Sequence, residues 1–332
     1  MWVTGEYYDA LRDVETAARG RLGEVQPEPY SRLDWFKRSW SCEPAGPRPL
    51  VVRTRVSGAE AWLFLARQHP KRLAPLAGPH SLRFAPIFTG DPGADVQRTL
   101  LRAAARRLRM FSVARISLSP LLPEHAAMLR ISFARAGWIV AERPGPANYL
   151  ISVADRSFDD YWESRQDQLH EQIAASSRHL EIEIADLLSP RLWDEVQLLA
   201  GDDRFLRELA QDATLDRTLR LAVARVGDAP VAAQLWTSER GRAWCHWRAE
   251  DADARHMFPS AQLNASMLRY LMNVDHAETI DLGNGSEADL AGWADERRVL
   301  RRLALFNPGA PSAWLPALGA KIAGLVGRSR LD

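Results

Sequence analysis

Alternation and helical spacing divide the chain into two runs of elements. In the first half, PLVVRTRV and AEAWLFLAR are β-rich and joined at Ser57 and Gly58, a hairpin signal. DVQRTLLRAAARRLR has helical spacing, VARISLSP reads as a short strand, and PEHAAMLRISFARAG as a helix ended by Gly137. WIVAERP and NYLISV look like two closing strands, giving ββαβαββ. Ahead of them, PEPYSRLDWFKRSW predicts a short amphipathic helix that packs Leu33, Trp35, Phe36 and Trp40.

The second half adds a front. Residues 158–180 are predicted to be helical, LEIEIADL alternates as a half-buried strand, and Ser189 with Pro190 opens the next helix. TLRLAVARV, VAAQLWTSE and RAWCHWRAE, separated by turns, form a three-stranded meander. A helix over PSAQLNASMLRYLMNV, a strand at AETIDL and a strand at VLRRLALF follow. The tail has Trp314, Leu315, Leu318, Ile322 and Leu325 at helical spacing, an apolar stripe for its own domain, a partner or a membrane surface.

Length then turns two runs into two domains. The 332 residues predict domains over 1–155 and 156–310 and a helical tail over 311–332. With 46% hydrophobic and 26% charged residues the chain can bury cores. Lys plus Arg number 43 against 42 acids, so no global field gathers DNA or an anionic membrane. Cys42 and Cys245 lack metal-type spacing, and no metal is expected. The absence of a signal-like or membrane-spanning apolar run predicts a cytoplasmic protein.

Meander, helix, strand, excursion and final strand is a layout that resembles the GNAT acyltransferase core. The resemblance rests on FDDYWESRQDQLHEQI, GDAPVAAQLW, FPSAQLNASMLRYLM, IDLGNG with Trp293, and LALFNP, over about residues 158–308. The chain looks like the CelD-like acetyltransferases of cellulose and exopolysaccharide gene clusters, which are similar to Fem-type transferases with two GNAT domains. The resemblance implies an α+β fold of tandem GNAT-like domains, the first divergent. It also implies acyl-CoA as co-substrate, acetyl-CoA or longer, and direct attack by an amine without a covalent enzyme intermediate. Two departures stand out. Pro259, Ser260, Ala261 and Gln262 replace the usual Pro-Gly-Thr, and Asp289 and Leu290 stand where relatives carry Tyr-Lys.

A coenzyme A diphosphate needs unsatisfied N–H groups, and a helix N-terminus supplies them. Ser260, Ala261 and Gln262 open such a helix, Arg255 precedes it, and Gln234 is a neutral donor on the meander; an ordinary N-cap at Ser260 fits the same residues. For proton transfer the titratable candidates are His246 and Glu250. Alternation places them on one face with Trp244 and Arg248, with Cys245 opposite. By resemblance Asp281 joins the catalytic set, and Asn284, Asp289 and Trp293 line an acceptor pocket. Loss of the basic side chain beside acids suits a cationic amine, such as an amino sugar of an exopolysaccharide precursor, or marks lost catalysis. Two alternatives stay open, a Fem-type aminoacyl-tRNA-dependent transferase and a non-catalytic binding protein. Arginines at 298, 301 and 302 and along LLRAAARRLR are phosphate partners or solvated faces.

Overall fold

A computed structural model describes residues 2–23, 28–42, 46–111, 113–154, 156–165, 167–176 and 180–319. The chain forms two compact units. The first comprises residues up to 146 and returns from 299 onward; the second comprises 147–298.

The first unit begins with β1 (Thr4–Tyr8), α1 (Leu11–Ala18), α2 (Leu33–Ser41), β2 (Arg48–Val56), β3 (Ala59–His69), β4 (Arg72–Pro75) and β5 (Ile87–Thr89). After these come α3 (Ala94–Arg109), β6 (Arg115–Leu121) and α4 (Pro123–Arg135). Strand β2 reads as a continuous apolar run because both its faces are covered. Leu50 and Val52 join Leu63, Leu65, Leu101 and Leu108 in one core. Val51 joins Trp62, Phe64, Leu11 and Phe36 in another. The period of two therefore sorts neighbouring residues into two cores.

The second unit is a mixed sheet. Strand β7 (Ile139–Ser152) enters it, followed by α5 (Phe158–Glu163), α6 (Asp167–Ser176), β8 (Glu181–Ala185), α7 (Pro190–Ala200) and α8 (Arg204–Leu215). Strands β9 (Leu219–Val226), β10 (Ala229–Glu239) and β11 (Arg242–Glu250) make the expected antiparallel meander. Helix α9 (Pro259–Asn273), β12 (Thr279–Asn284) and α10 (Glu287–Leu290) follow. The β12 strand lies parallel to β11 and antiparallel to β7. Trp236, Ala243 and Cys245 pack beneath Leu263, Met267 and Leu271 of α9.

Several expectations change. The helix expected over 158–180 is two, α5 and α6; a Ser157–Asp160 capping box starts the first, and Ser164 ends it. The two strands expected around 138–153 are one. Helices α1 and α8 and strand β1 are additional. The last strand, β13 (Glu296–Phe306), pairs with β6, so its residues from 299 belong to the first unit. In the tail, residues 314–319 are helical, while Ile322 and Leu325 lie outside the described residues. There Ala313 and Ala317 are packed, whereas Trp314, Leu315 and Leu318 are exposed.

Candidate active site

Parallel strands β11 and β12 stay paired only from Arg242–Thr279 to Trp244–Asp281. Beyond Trp244 the strands part, and among the described residues the edge of β11 from 245 to 250 has no ladder partner on that side. A cleft of ≈ 980 Å³ lies in the second unit, lined by Arg248, Glu250, Arg255, Ser260, Asn264 and Trp293 among others. An unpaired strand edge offers backbone donors and acceptors to a ligand that lies along it.

A β-bulge decides which side chains of β11 reach this cleft. Trp236 pairs with Cys245 but Leu235 pairs with Trp247, so His246 is the extra residue. The inserted residue reverses the alternation. Trp244 opposes Thr237 while Arg248 opposes Gln234, three positions along β10 and hence on the other face. The shared face expected for Trp244, His246, Arg248 and Glu250 is therefore divided. His246 is buried, its Nε2 lies 2.8 Å from Thr237 Oγ1, and it does not line the cleft. Arg248 and Glu250 face α9 and do line it. The Arg248 guanidinium donates to the Leu282 carbonyl, spanning the parted strands. Cys245 is sealed in the core, and burial pushes its thiol up, which leaves it protonated and unfit as a nucleophile.

At the α9 N-terminus Phe258 sits at φ 51°, no side chain of the helix itself caps it, and Pro259 takes the first position. Glu250 supplies the cap from β11: its Oε2 accepts from the Ser260 N–H at 3.2 Å, and its other oxygen lies 3.4 Å from Arg255 Nε. The position expected to hold a diphosphate thus already holds a carboxylate, the charge a helix N-terminus prefers. Six residues of strand, about 20 Å at the usual rise, separate Glu250 from Trp244, where the strands part. Ala261 also lines the cleft.

The remaining candidates divide in the same way. Gln234 is buried; it accepts from Trp236 Nε1 at 3.0 Å and donates to Asn264 Oδ1 at 2.8 Å, bracing β10 against α9. Gln262 donates to the Ile173 carbonyl at 3.0 Å, tying α9 to α6. Asp281 is buried and accepts from Asn148 Nδ2 at 2.7 Å and from the Gly283 N–H at 2.8 Å. Gly283 has φ 84°, a left-handed conformation that glycine adopts without a steric penalty, so IDLGNG turns beside the Asp281 carboxylate. Asn284 ends β12 opposite Asn148 and does not line the cleft. Asp281→Ala is expected to destabilise the fold by about 2–4 kcal/mol, because the buried Asn148 amide loses a charged acceptor; urea unfolding checks it, with Asp281→Asn showing a smaller loss.

Asp289 and Trp293 line the cleft, together with Glu287. Ser286 caps α10 by accepting from the Asp289 N–H at 3.2 Å, and its hydroxyl donates to the Asp289 carboxylate at 2.6 Å. The buried Tyr161 hydroxyl donates to the Trp293 carbonyl at 2.6 Å; Trp162 lies 5.9 Å from the Trp293 ring. Burial raises the Tyr161 phenol well above its ordinary range, so it stays a donor. Asp295 secures the end of this segment. Burial pushes its carboxyl up, but hydrogen bonds from Arg156 and Arg165 outweigh that and hold it below the ordinary value. Its pairing therefore stabilises the fold above the unfolded-state pKa and is lost as pH falls through the lower folded value.

The cleft gathers Glu250, Arg255, Ser260, Ala261, Asp289 and Trp293 from the expected residues, and adds Arg248, Asn264 and Glu287. Arg248 and Glu287 were visible as charged neighbours of chosen positions, but Asn264 looks like any polar residue of an amphipathic helix.

Residues 154–289 match the family model described as an acetyltransferase (GNAT) domain. The second unit is a GNAT-type acyltransferase domain. FemX superposes with TM-score 0.56 and 10% identity over 93% of this chain and 98% of that one. A tandem GNAT protein from the clavulanic acid biosynthesis pathway gives 0.51 and 13%, over 92% and 98%. The C-terminal domain assigned to a lysylphosphatidylglycerol synthetase from Agrobacterium fabrum gives 0.53 and 14%, over 85% and 94%. At such identities the likeness establishes a fold, here a tandem GNAT-like one. None of the curated proteins compared matches the chain.

Proposed function

We propose that the GNAT domain transfers an acyl group from coenzyme A to an amine in the cleft where β11 and β12 part. That parting carries the proposal, because it leaves the β11 edge unpaired beyond Trp244, and the end of that edge, residues 248–250, lines a cleft that reaches a helix N-terminus. The pantetheine arm would lie along the unpaired β11 edge, with its diphosphate near Ser260, Ala261 and Arg255. The amine attacks the thioester carbon, a tetrahedral intermediate forms, and its collapse expels the coenzyme A thiolate. Backbone N–H groups beside the bulge at His246 are the candidate donors to the oxyanion.

Glu287 and Asp289 would hold the acceptor as its ammonium ion and receive its proton, since both acids line the cleft. An amino sugar of an exopolysaccharide precursor fits that charge and the CelD-like resemblance, with the donor drawn from the cytoplasm. Glu250 takes a different role from the expected base. It lies at the diphosphate end, where it caps α9, and must swing aside when coenzyme A arrives. The same contact favours one second reading, a donor without a diphosphate at this position, such as an aminoacyl-tRNA.

Calorimetric titration with acetyl-CoA and a long-chain acyl-CoA tests the proposal. Saturable binding is expected, and Ser260→Glu should abolish it while leaving the fold intact, because an acid in the first helical turn is favourable. Absence of binding by both thioesters would transfer support to the tRNA-dependent donor.

A further inference from the structure

Helix α3 of the first unit carries Arg98, Arg102 and Arg106 at intervals of four, a spacing that stacks them in one ridge. Arg98 pairs with Asp95 at 2.6 Å. Arg102, Arg106 and Arg107 form no ion pair with any described residue. Two hollows run along this ridge and share Thr99 and Arg102. Arg98, Arg102, Arg106, Arg107 and Arg135 line them against a single acid, Asp95. The balanced whole-chain charge conceals this local excess.

Strand β1 keeps other acids away from it. Its alternation turns Gly5 and Tyr7 towards α3, where the Tyr7 ring meets Phe111 edge-on at 4.8 Å and lies 5.9 Å from the Arg107 guanidinium. Glu6, between them, faces the other way and pairs with Arg53 and Arg55. At the margin of the basic face Trp2 is 94% exposed and Met110 82% exposed. Large apolar side chains standing free beside unpaired arginines match an interfacial membrane contact, in which cations meet headgroup phosphates and the apolar groups enter the boundary layer. A nucleic-acid groove would present ring faces for base stacking. Here Trp2 is the one free ring among the residues lining the hollows; Tyr7 is engaged edge-on with Phe111, and Met110 has no ring, so no series of stacking faces accompanies the arginines.

We propose that this face of the first unit docks on an anionic lipid bilayer, with the α3 arginines against the headgroups and Trp2 and Met110 in the interface. The contact is peripheral. Among the described residues no helix is long and apolar enough to cross a membrane.

Flotation of the full chain with phosphatidylcholine vesicles, with and without added phosphatidylglycerol, tests the proposal. Binding is expected only to the anionic vesicles and should weaken with salt. Each arginine near such a surface contributes about fivefold, so Arg102→Gln with Arg106→Gln should lower the partition on the order of twentyfold. These side chains make no ion pair, and glutamine is a good helix former, so the melting temperature should not move. Trp2→Ser with Met110→Ser should lower partition severalfold. Any of four results overturns the proposal: no flotation, equal flotation with both vesicle types, flotation unchanged in either double variant, or loss in the arginine variant of RNA binding but not of vesicle binding.

Discussion

Glu287→Gln together with Asp289→Asn is expected to lower kcat/KM for the amine by about a hundredfold or more, the usual contribution of a positioned proton acceptor. Both acids line the cleft, and neither is buried in a structural ion pair; Arg297 lies 3.9 Å from Glu287. An amine in water is mostly an ammonium ion at neutral pH, so it must be attracted and then deprotonated before it can attack. Carboxylates do both. The amides keep size and polarity, and the amide oxygen introduced at position 289 can still accept from the Ser286 hydroxyl that caps α10.

The loss should shrink as pH rises, because bulk solvent then supplies free amine at about tenfold more per pH unit. The unaltered enzyme should gain less over the same range. Steady-state thiol release, measured against amine concentration across that range, checks both statements. An unchanged kcat/KM would make these acids an ordinary solvated turn.

Glu250→Gln is expected to tighten acyl-CoA binding by about tenfold. Glu250 Oε2 lies 3.2 Å from the Ser260 N–H that a diphosphate would use, and its partner oxygen lies 3.4 Å from Arg255 Nε. A carboxylate and a phosphate about 5 Å apart repel by about 3 kcal/mol at an effective dielectric of 20. Partial exposure of Glu250 screens much of that and leaves roughly one factor of ten. Glutamine still accepts from the Ser260 N–H, so helix α9 keeps its cap, while Arg255 becomes available to the ligand. Calorimetry on the variant and the parent measures the ratio. Weaker binding in the variant would mean that no anion competes with Glu250, and would favour the tRNA-dependent donor.

Much of the second unit was legible because its elements have strong periods. The meander over 218–250, the helix opening at Pro259 and the strand ending at Asp281 carry alternation, turn residues and Pro at a first helical position, all of which act within a few residues. Asp289 and Trp293 were placed in the cleft through resemblance, and Ser260 and Ala261 through the chemistry of a helix N-terminus. Hydrogen-bond partners were not legible. Asp281 looked catalytic but is spent on Asn148, 133 positions earlier, and Gln234 looked like a cofactor contact but braces Asn264. Nothing local to a strand reveals a partner so distant in sequence.

By itself the sequence determined which segments are strands and helices in the meander and the α9 region, because those depend on local spacing; the tandem GNAT-like class came from a resemblance in the order of elements. Only the tertiary structure decided that His246 is an extra residue and that Arg248 and Glu250 face the cleft without it. A bulge is a property of two paired strands, and one inserted residue reverses every side chain beyond it. The return of β13 to β6 was likewise settled by pairing across most of the chain. So was the Glu250 carboxylate at the start of α9, since a cap can come from any chain segment that folding brings within hydrogen-bonding distance.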